Sequence, residues 1–441
     1  MDAFDRRLEL TASAPIAVAF SGGGDSLAAL LATQAWAERA GRRVVVLTVD
    51  HELQPQSRDW VRFSEAVARR FGDDFEAMTW EGAKPATGLA AAARAARHRL
   101  IAAAARRYGA RVVVFGHTAD DLAEAALMRA EGSSVGSPRE WAPSPVWPEG
   151  RDVFLLRPLL NLRRAAIREM LSSVGETWID DPANENSASL RARVRTTLGR
   201  LPLREKVAAE GGRMRGRTDP SAAGLDNALS RRPDPSSGPL GHLLPQGEKA
   251  SRACFAGILI LNRLAFRAAT DGVRHRVLGA ALTCAGGGDR PPRGARLVAL
   301  AERLMGEGCV SATLVGARII ADDAQILVVR NAGEAARGGL APLTLAPGET
   351  GVWDGRYETT AGDVPITFEP LAGHHRELDA KASAALRTLP PAARGALPSY
   401  ADRARGRICP ILAQADPVQV RSLVAARFHG AAGMISKEPA A

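Results

Sequence analysis

Ile16-Ala-Val-Ala-Phe-Ser21-Gly22-Gly23-Gly24-Asp25-Ser26 is the stretch on which the fold turns. Its first five residues are apolar or small and read as a buried strand. Three glycines follow, and Asp25 with Ser26 opens an apolar-periodic helix expected over Leu27 to Ala40. Strand, glycine turn and helix N-terminus make an anion site, because N–H groups without helical partners and the positive end of the helix dipole converge where the loop turns. The stretch is expected to hold phosphate.

The loop differs from other phosphate loops. A Walker A loop ends in Gly-Lys-Ser/Thr, and no lysine is present here. A dinucleotide fold needs GxGxxG and a ribose-binding acid near the next strand end, for which only Asp50 speaks. Ser21 and Ser26 instead bring two hydroxyls, the glycines bring backbone N–H groups, and Asp25 brings a carboxylate. A carboxylate beside phosphate is repulsive unless a cation bridges them, so Asp25 implies Mg²⁺. A plain tight turn has no need of Asp-Ser after three glycines.

Downstream, Arg43-Val-Val-Val-Leu-Thr-Val49 reads as a second buried strand ending in Asp50-His51, and Ser57 caps a helix to Phe71. Phe75 to Trp80 reads as a third strand, Leu89 to Tyr108 as a long helix, and Arg111 to Phe115 as a fourth strand leading into Gly116-His117. A helix starts near Ala119. Val153 to Leu156 forms a further strand, and Arg163 to Val174 a further helix. Strands alternating with helices predict a doubly wound parallel α/β sheet covered on both faces. Ligands of such sheets lie at the carboxyl ends of the strands, beside the point where strand order reverses. The glycine loop, Asp50-His51 and His117-Thr-Ala-Asp120-Asp121-Leu-Ala-Glu124 then share one rim. Residues 132–150, with four prolines and two tryptophans and no period, read as a loop over that crevice.

The 441 residues suffice for two or three domains. With no apolar run of membrane-spanning length and no signal-peptide pattern at the N-terminus, a cytoplasmic protein is expected. Cys254, Cys284, Cys309 and Cys409 are scattered without CxxC pairing or metal-ligand spacing, which argues against a disulfide framework or structural zinc. The formal charge of +10 suggests an acidic partner such as nucleic acid. Only Lys84, Lys206, Lys249, Lys381 and Lys437 among the 58 basic residues are lysine, and an arginine excess of this kind follows equally from GC-rich coding.

Ser21-Gly22-Gly23-Gly24-Asp25-Ser26 resembles the SGGxDS motif of the PP-loop (N-type) ATP pyrophosphatases, which adenylate a carbonyl-type oxygen and release pyrophosphate. Within that superfamily, several segments are similar to the tRNA(Ile)-lysidine synthetase family. They are Val49-Asp50-His51, Ala91-Ala-Ala-Arg94-Ala-Ala-Arg97, His117 to Glu124, Arg157-Pro158-Leu159-Leu160 and Asp180-Asp181-Pro182-Ala183-Asn184, with the spaced Arg191, Arg193 and Arg195. Their order fits over residues 14–200. The sequence departs from that family at Ala130-Glu131-Gly132-Ser133-Ser134 and at Ser189-Leu190-Arg191-Ala192.

The resemblance implies a PP-loop fold of the adenine-nucleotide alpha-hydrolase type and a two-step reaction at the wobble cytidine of a CAU-anticodon isoleucine tRNA. ATP adenylates the C2 oxygen, and free lysine then displaces AMP. Ser21, Gly22, Gly23, Gly24, Asp25 and Ser26 would bind the pyrophosphate of ATP, with Mg²⁺ at Asp25 and with Asp50, His51 and His117 on the nucleotide side. Asp121 and Glu124 would grip the lysine ammonium and accept a proton from the attacking amine, although acids in a first turn also serve simple helix capping. Arg94 and Arg97 lie three apart on one helix face. They read either as solvated arginines or as contacts to an ATP phosphate or the activated base, Arg94 on the catalytic side and Arg97 toward tRNA. Arg157, Arg191 and Arg195 read as tRNA phosphate contacts.

Thiolating relatives need cysteines near the loop, and residues 1–253 have none. An amide- or amidine-forming PP-loop enzyme acting on a small molecule remains the alternative. Residues 1–200 are expected as the catalytic domain. Residues 201–255 follow as a linker, and 16 of the 40 residues in its insertion 211–250 are Gly, Pro or Ser. A helical or mixed region then covers 256–335 and a mixed or β-rich accessory domain 336–441. Thr313 to Ile320 pairs with Gln325 to Arg330 as a hairpin, and Gly351 to Tyr357 forms a short strand. A homodimer is compatible with all of this.

Overall fold

A computed structural model of the chain describes residues 1–132, 136–180, 255–292, 294–412 and 417–439. The chain divides into two compact units, Met1–Ser230 with Ile435–Ala441, and Arg231–Met434.

The first unit is a six-stranded sheet. Its strands are β1 (Ile16–Ala19), β2 (Val44–Asp50), β3 (Asp74–Thr79), β4 (Val112–Phe115), β5 (Trp141–Pro143) and β6 (Phe154–Leu156), in the order β3-β2-β1-β4-β6-β5. All neighbours run parallel except β5 against β6. The short runs of Val, Ile and Leu are apolar on both sides because both faces are covered. On one face Ile16, Val18, Val46 and Val114 pack with Leu27, Leu30 and Trp36 of helix α2 (Gly24–Ala40) and with Phe4 of α1 (Asp2–Arg7). Val67 of α3 (Ser57–Phe71) and Leu171 of α6 (Arg164–Ser173) complete that layer. On the other, Ala17, Val45, Leu47, Val113 and Phe115 pack with Ile101, Ala104 and Ala105 of α4 (Leu89–Arg107). Helix α5 (Ala119–Ala130) leaves the end of β4. The strand order reverses between β1 and β4, which puts the crevice of a doubly wound sheet there.

Residues Ile435 to Glu438 close the first unit. Arg42 donates to both Glu438 carboxylate oxygens at 2.7 and 2.8 Å, with both side chains 1% exposed. Trp141 Nε1 donates to Ile435 O at 3.0 Å, and Arg7 Nη1 to Ser436 O at 2.8 Å.

The second unit holds the antiparallel sheet β7-β10-β9-β8 (Leu259–Asn262, Gln325–Arg330, Ala317–Ala321, Val310–Leu314). Helices Asp271–Ala285, Ala295–Met305 and Val424–Ala432 pack on it around Leu278, Leu282, Leu304, Ile319, Ile326 and Phe428. Two smaller sheets follow. One is β11-β14-β15-β16 (Leu343–Leu345, Ile366–Pro370, Pro398–Asp402, Gly406–Ile408), and the other β12-β13-β17 (Thr350–Trp353, Tyr357–Thr360, Gln419–Ser422). They share a core of Trp353, Tyr357, Phe368 and Tyr400. Another core joins Ile258 and Val329 to Leu371, Leu386 and Leu397, so packing is continuous across residue 335.

The parallel α/β sheet and the β-rich C-terminal region match the sequence expectation in class. Four local readings change. Ser57 is the first residue of α3 rather than its cap, which is Gln56. Part of the expected loop at 132–150 pairs as β5 at the sheet edge, where Trp141 stacks on Phe154 with ring centroids 5.0 Å apart. Thr313 to Ile320 is broken at Val315-Gly316, where φ values of 44° and 78° turn the chain between β8 and β9. Gly351 to Tyr357 is broken likewise at Asp354-Gly355, with φ 50° and 64°. No helix among the described residues is long and apolar enough to cross a membrane.

Candidate active site

The glycine loop leaves β1 and enters α2 with Gly23, which has no side chain to bond across the N-terminus, as the helix cap. Gly22 has φ 80°, and a Cβ there would meet Ile179 Cδ1 at 2.5 Å. Ser26, 8% exposed, ties the turn: its hydroxyl donates to Gly23 O at 2.8 Å and accepts from Ser21 N at 3.2 Å. The Ser21 and Ser26 hydroxyl oxygens are 3.2 Å apart. Ile179 N donates to Gly22 O at 2.9 Å, and the Trp178 ring lies 3.4 Å from where a Gly24 Cβ would be. Gly116, at the end of β4, approaches the loop so closely that a Cβ would lie 2.3 Å from Asp25 O.

Helix α5 brings its acids to this loop. The Thr118 backbone N–H and hydroxyl donate to Asp121 Oδ2 at 2.9 and 3.1 Å, so Asp121 does cap its own helix. It also faces Arg164 Nη2 at 3.6 Å. Glu124, 1% exposed, lies 3.4 Å from Arg164 Nη1. Asp120 turns the other way and accepts the backbone N–H of Arg164 at 2.8 Å, capping α6. Ala119 N donates to Leu162 O at 2.9 Å, so the starts of α5 and α6 are tied together. Arg164 Nε then reaches Asp25 Oδ2 at 2.8 Å. One guanidinium therefore touches the loop carboxylate and both α5 carboxylates. Burial opposes its charge, but the bond and attraction to Asp25, with Asp121 and Glu124, outweigh this and hold it protonated. Burial likewise pushes the Asp25 carboxyl above its usual range, and Arg164 pulls it back in part.

Across β4 the site is basic. Arg157, 6% exposed, donates from Nε to His117 Nδ1 at 3.2 Å and from Nη1 to Arg139 O at 2.8 Å, with its guanidinium 5.9 Å from the Phe115 ring. Phe115 packs between His98 and His117, with centroids 5.2 and 5.8 Å away. Burial first, then the charges of Arg94, Arg97 and Arg157, drives His98 down to about 2. Burial and Arg157 drive His117 down to about 3. Both rings are neutral near pH 7. Because His117 Nδ1 accepts from Arg157, its proton resides on Nε2. Burial and the charge of Arg94 lower Arg157 itself to about 10.

The structure thus brings together Ser21, Gly22, Gly23, Gly24, Asp25, Ser26, His117, Asp121 and Glu124, with Arg94 and Arg97 in electrostatic reach of His117. Arg157 lies inside this site, not on an open RNA-facing surface. Asp50, at the end of β2, accepts Glu52 N at 2.8 Å. His51 packs edge-on to Trp80 with centroids 5.9 Å apart. Asp181, Asn184, Arg191, Arg193, Arg195 and the insertion 211–250 lie outside the described residues. Sequence reasoning missed Arg164, Gly116, Trp178 and Ile179. Gly116 had a signal, a glycine directly after a buried strand. Arg164 had none, since it is one arginine among many.

No three His, Cys, Asp or Glu side chains among the described residues converge as a metal cage. Mg²⁺ is served by such a site when one carboxylate is joined by phosphate oxygens and water. Asp25, 23% exposed beside the glycine loop, fits that use.

A family of PP-loop domains matches residues 3–201. A tRNA(Ile)-lysidine synthase of Caulobacter vibrioides is 46% identical over 99% of this chain and 97% of its own length. One of Hyphomonas neptunium is 37% identical over 70% and 79%, and one of Brucella anthropi 32% identical over 82% and 77%. With the loop, its α5 carboxylates and end-to-end similarity of this order, the chain belongs to the tRNA(Ile)-lysidine synthase family, a group of PP-loop ligases that use ATP.

Proposed function

We propose that the chain joins free lysine to C2 of the wobble cytidine in a CAU-anticodon isoleucine tRNA. The cytidine C2 oxygen attacks the α-phosphorus of ATP and pyrophosphate leaves. The lysine amine then attacks C2, AMP departs with the oxygen, and the amine gives up a proton. The observation that supports this most is the placement of Asp121 and Glu124 against Asp25, within one guanidinium's reach.

Ser21, Ser26 and the N–H groups of residues 22–24 hold the β- and γ-phosphates at the uncapped start of α2. Asp25 would hold Mg²⁺, which would supply positive charge against the phosphates. Asp121 and Glu124 bind the lysine ammonium and take the proton of the attacking amine. Neutral His117 offers its Nε2 proton to the nucleotide or base. Arg157 positions that ring, and Arg94 and Arg97 supply positive charge for phosphate or base. Asp50 and His51 border the nucleotide.

In the second unit, a cavity of about 590 Å³ lined by Arg318, His375, Arg387 and Arg394 is offered to tRNA phosphate. Arg191 and Arg195 join that role by sequence alone. A cytoplasmic location and a homodimer complete the reading.

The test is incorporation of labelled lysine into a CAU-anticodon isoleucine tRNA transcript with ATP and Mg²⁺. AMP and pyrophosphate should form one-for-one with lysidine, and a transcript with an altered anticodon should take up no lysine. Absence of incorporation into the cognate transcript overturns the reading.

A further inference from the structure

Arg164 stands where two arriving cations are expected. Its Nε is 2.8 Å from Asp25 Oδ2, the carboxylate assigned to Mg²⁺. Its Nη1 and Nη2 are 3.4 and 3.6 Å from Glu124 Oε1 and Asp121 Oδ2, the carboxylates assigned to the lysine ammonium. Its backbone is fixed at the first turn of α6 by Asp120, so the guanidinium swings from an anchored root. The side chain keeps 22% of its surface exposed, which leaves room on the solvent side for that swing.

The three contacts differ in kind. The contact to Asp25 is a hydrogen bond of ordinary length, whereas that to Glu124 is a long hydrogen bond at 3.4 Å and that to Asp121 an ion pair at 3.6 Å. A guanidinium in reach of three carboxylates holds them in mutual alignment when no substrate is bound. Anions this close would otherwise repel one another or take up protons. Any cation that binds the same oxygens must first move it aside.

We infer that Arg164 is an exchangeable internal counter-ion and a positioning residue. It holds Asp25, Asp121 and Glu124 in register in the free enzyme and yields Asp25 to Mg²⁺ and the α5 acids to the lysine ammonium. This rests on the proposed roles of those three acids. The consequence is a link between the two substrates. Once Mg²⁺ with ATP takes Asp25, the arginine loses its strongest contact, and the α5 acids are released to the incoming amine. Lysine binding is thereby coupled to nucleotide binding, and a lone lysine meets an occupied site.

The sign of one measurement decides the matter. Full-length protein without nucleotide is titrated with L-lysine by calorimetry and with Mn²⁺ by electron paramagnetic resonance. Removing a competing cation in Arg164→Met should tighten both by about threefold or more, the size expected of a partly exposed ion pair. The kcat for lysine incorporation should fall by about tenfold or more because alignment is lost, while the KM for lysine does not rise. A ligand-contacting or purely structural arginine gives the opposite, weaker or unchanged lysine and Mn²⁺ binding, and that result overturns the inference.

Arg164→Lys, with one ammonium that cannot span the three acids, should restore most of the lost kcat and give intermediate affinity. If Arg164→Met does not fold, lysine binding by Arg164→Lys no tighter than wild type overturns the inference. Wild-type protein that neither binds nor incorporates lysine overturns the functional reading beneath it. Wild-type protein that does both, beside an Arg164→Met that binds lysine no tighter, overturns this inference alone.

Discussion

The two sides of the crevice handle charge in opposite ways. On the α5 side one guanidinium, that of Arg164, reaches three carboxylates. On the β4 side burial, reinforced by the charge of three arginines, keeps two histidines without their protons. One side is built to exchange one cation for another. The other is a standing positive field suited to phosphate, with its imidazoles kept neutral as hydrogen-bonding groups.

The largest expected effect strikes the loop carboxylate that Arg164 shares with the acids of α5. Asp25→Ala should cut ATP–pyrophosphate exchange by roughly 10³-fold, and retention of full exchange would remove the metal from Asp25. Gly116→Ala drives a methyl into the Asp25 carbonyl. It should lower stability by about 1–3 kcal/mol and depress exchange in the fraction that folds, as read by a thermal midpoint and a rate at equal folded protein. A change confined to the acidic half comes next: Glu124→Gln should raise the KM for lysine by roughly 30-fold, about 2 kcal/mol. Nearly normal pyrophosphate exchange with tRNA should persist, which separates the amine side from the nucleotide side.

The basic half is probed by pH. His98 is neutral in the folded protein down to about 2 but titrates near its ordinary value when unfolded. Below that ordinary value the unfolded chain binds the extra proton, so stability is lost as pH falls. His98→Leu should flatten the slope of unfolding free energy by about 1.4 kcal/mol per pH unit between roughly pH 6 and pH 4. Denaturant melts across that range test it, and an unchanged slope would show that His98 takes up its proton while folded. The smallest effect is the most remote. Arg318→Glu with Arg387→Glu should weaken tRNA binding a few-fold and lower its salt slope by roughly 1–2, without altering the KM for lysine.

Much of this was legible because the information is local. A run such as Val44 to Val49 is apolar on both faces, three glycines stand where the chain must turn before a helix, and His117 to Glu124 begins a helix with acids. Each element announces itself within ten residues, and the parallel topology follows from the alternation. What escaped depends on packing. Arg164 is identical in type to dozens of other residues, and the ties of Ala119 to Leu162 and of Asp120 to the Arg164 backbone aim it at Asp25. Arg157 read as a tRNA phosphate contact, yet the Phe115 ring and the Arg139 carbonyl draw it inward. Val315-Gly316 and Asp354-Gly355 were read through as strand because a left-handed turn needs only two residues and leaves the apolar pattern on either side intact.

The pair Arg42–Glu438 sets an order of events during synthesis. A guanidinium 1% exposed and bound through both terminal nitrogens to one carboxylate keeps only the Glu9 and Ala14 carbonyls when that carboxylate is missing, at a cost of roughly 3–5 kcal/mol. That carboxylate emerges from the ribosome after nearly 400 further residues have been made. The first unit therefore stays incomplete until Glu438 has been made, after the second unit, and a nascent chain cut short before Glu438 is penalised in the unit that carries the glycine loop.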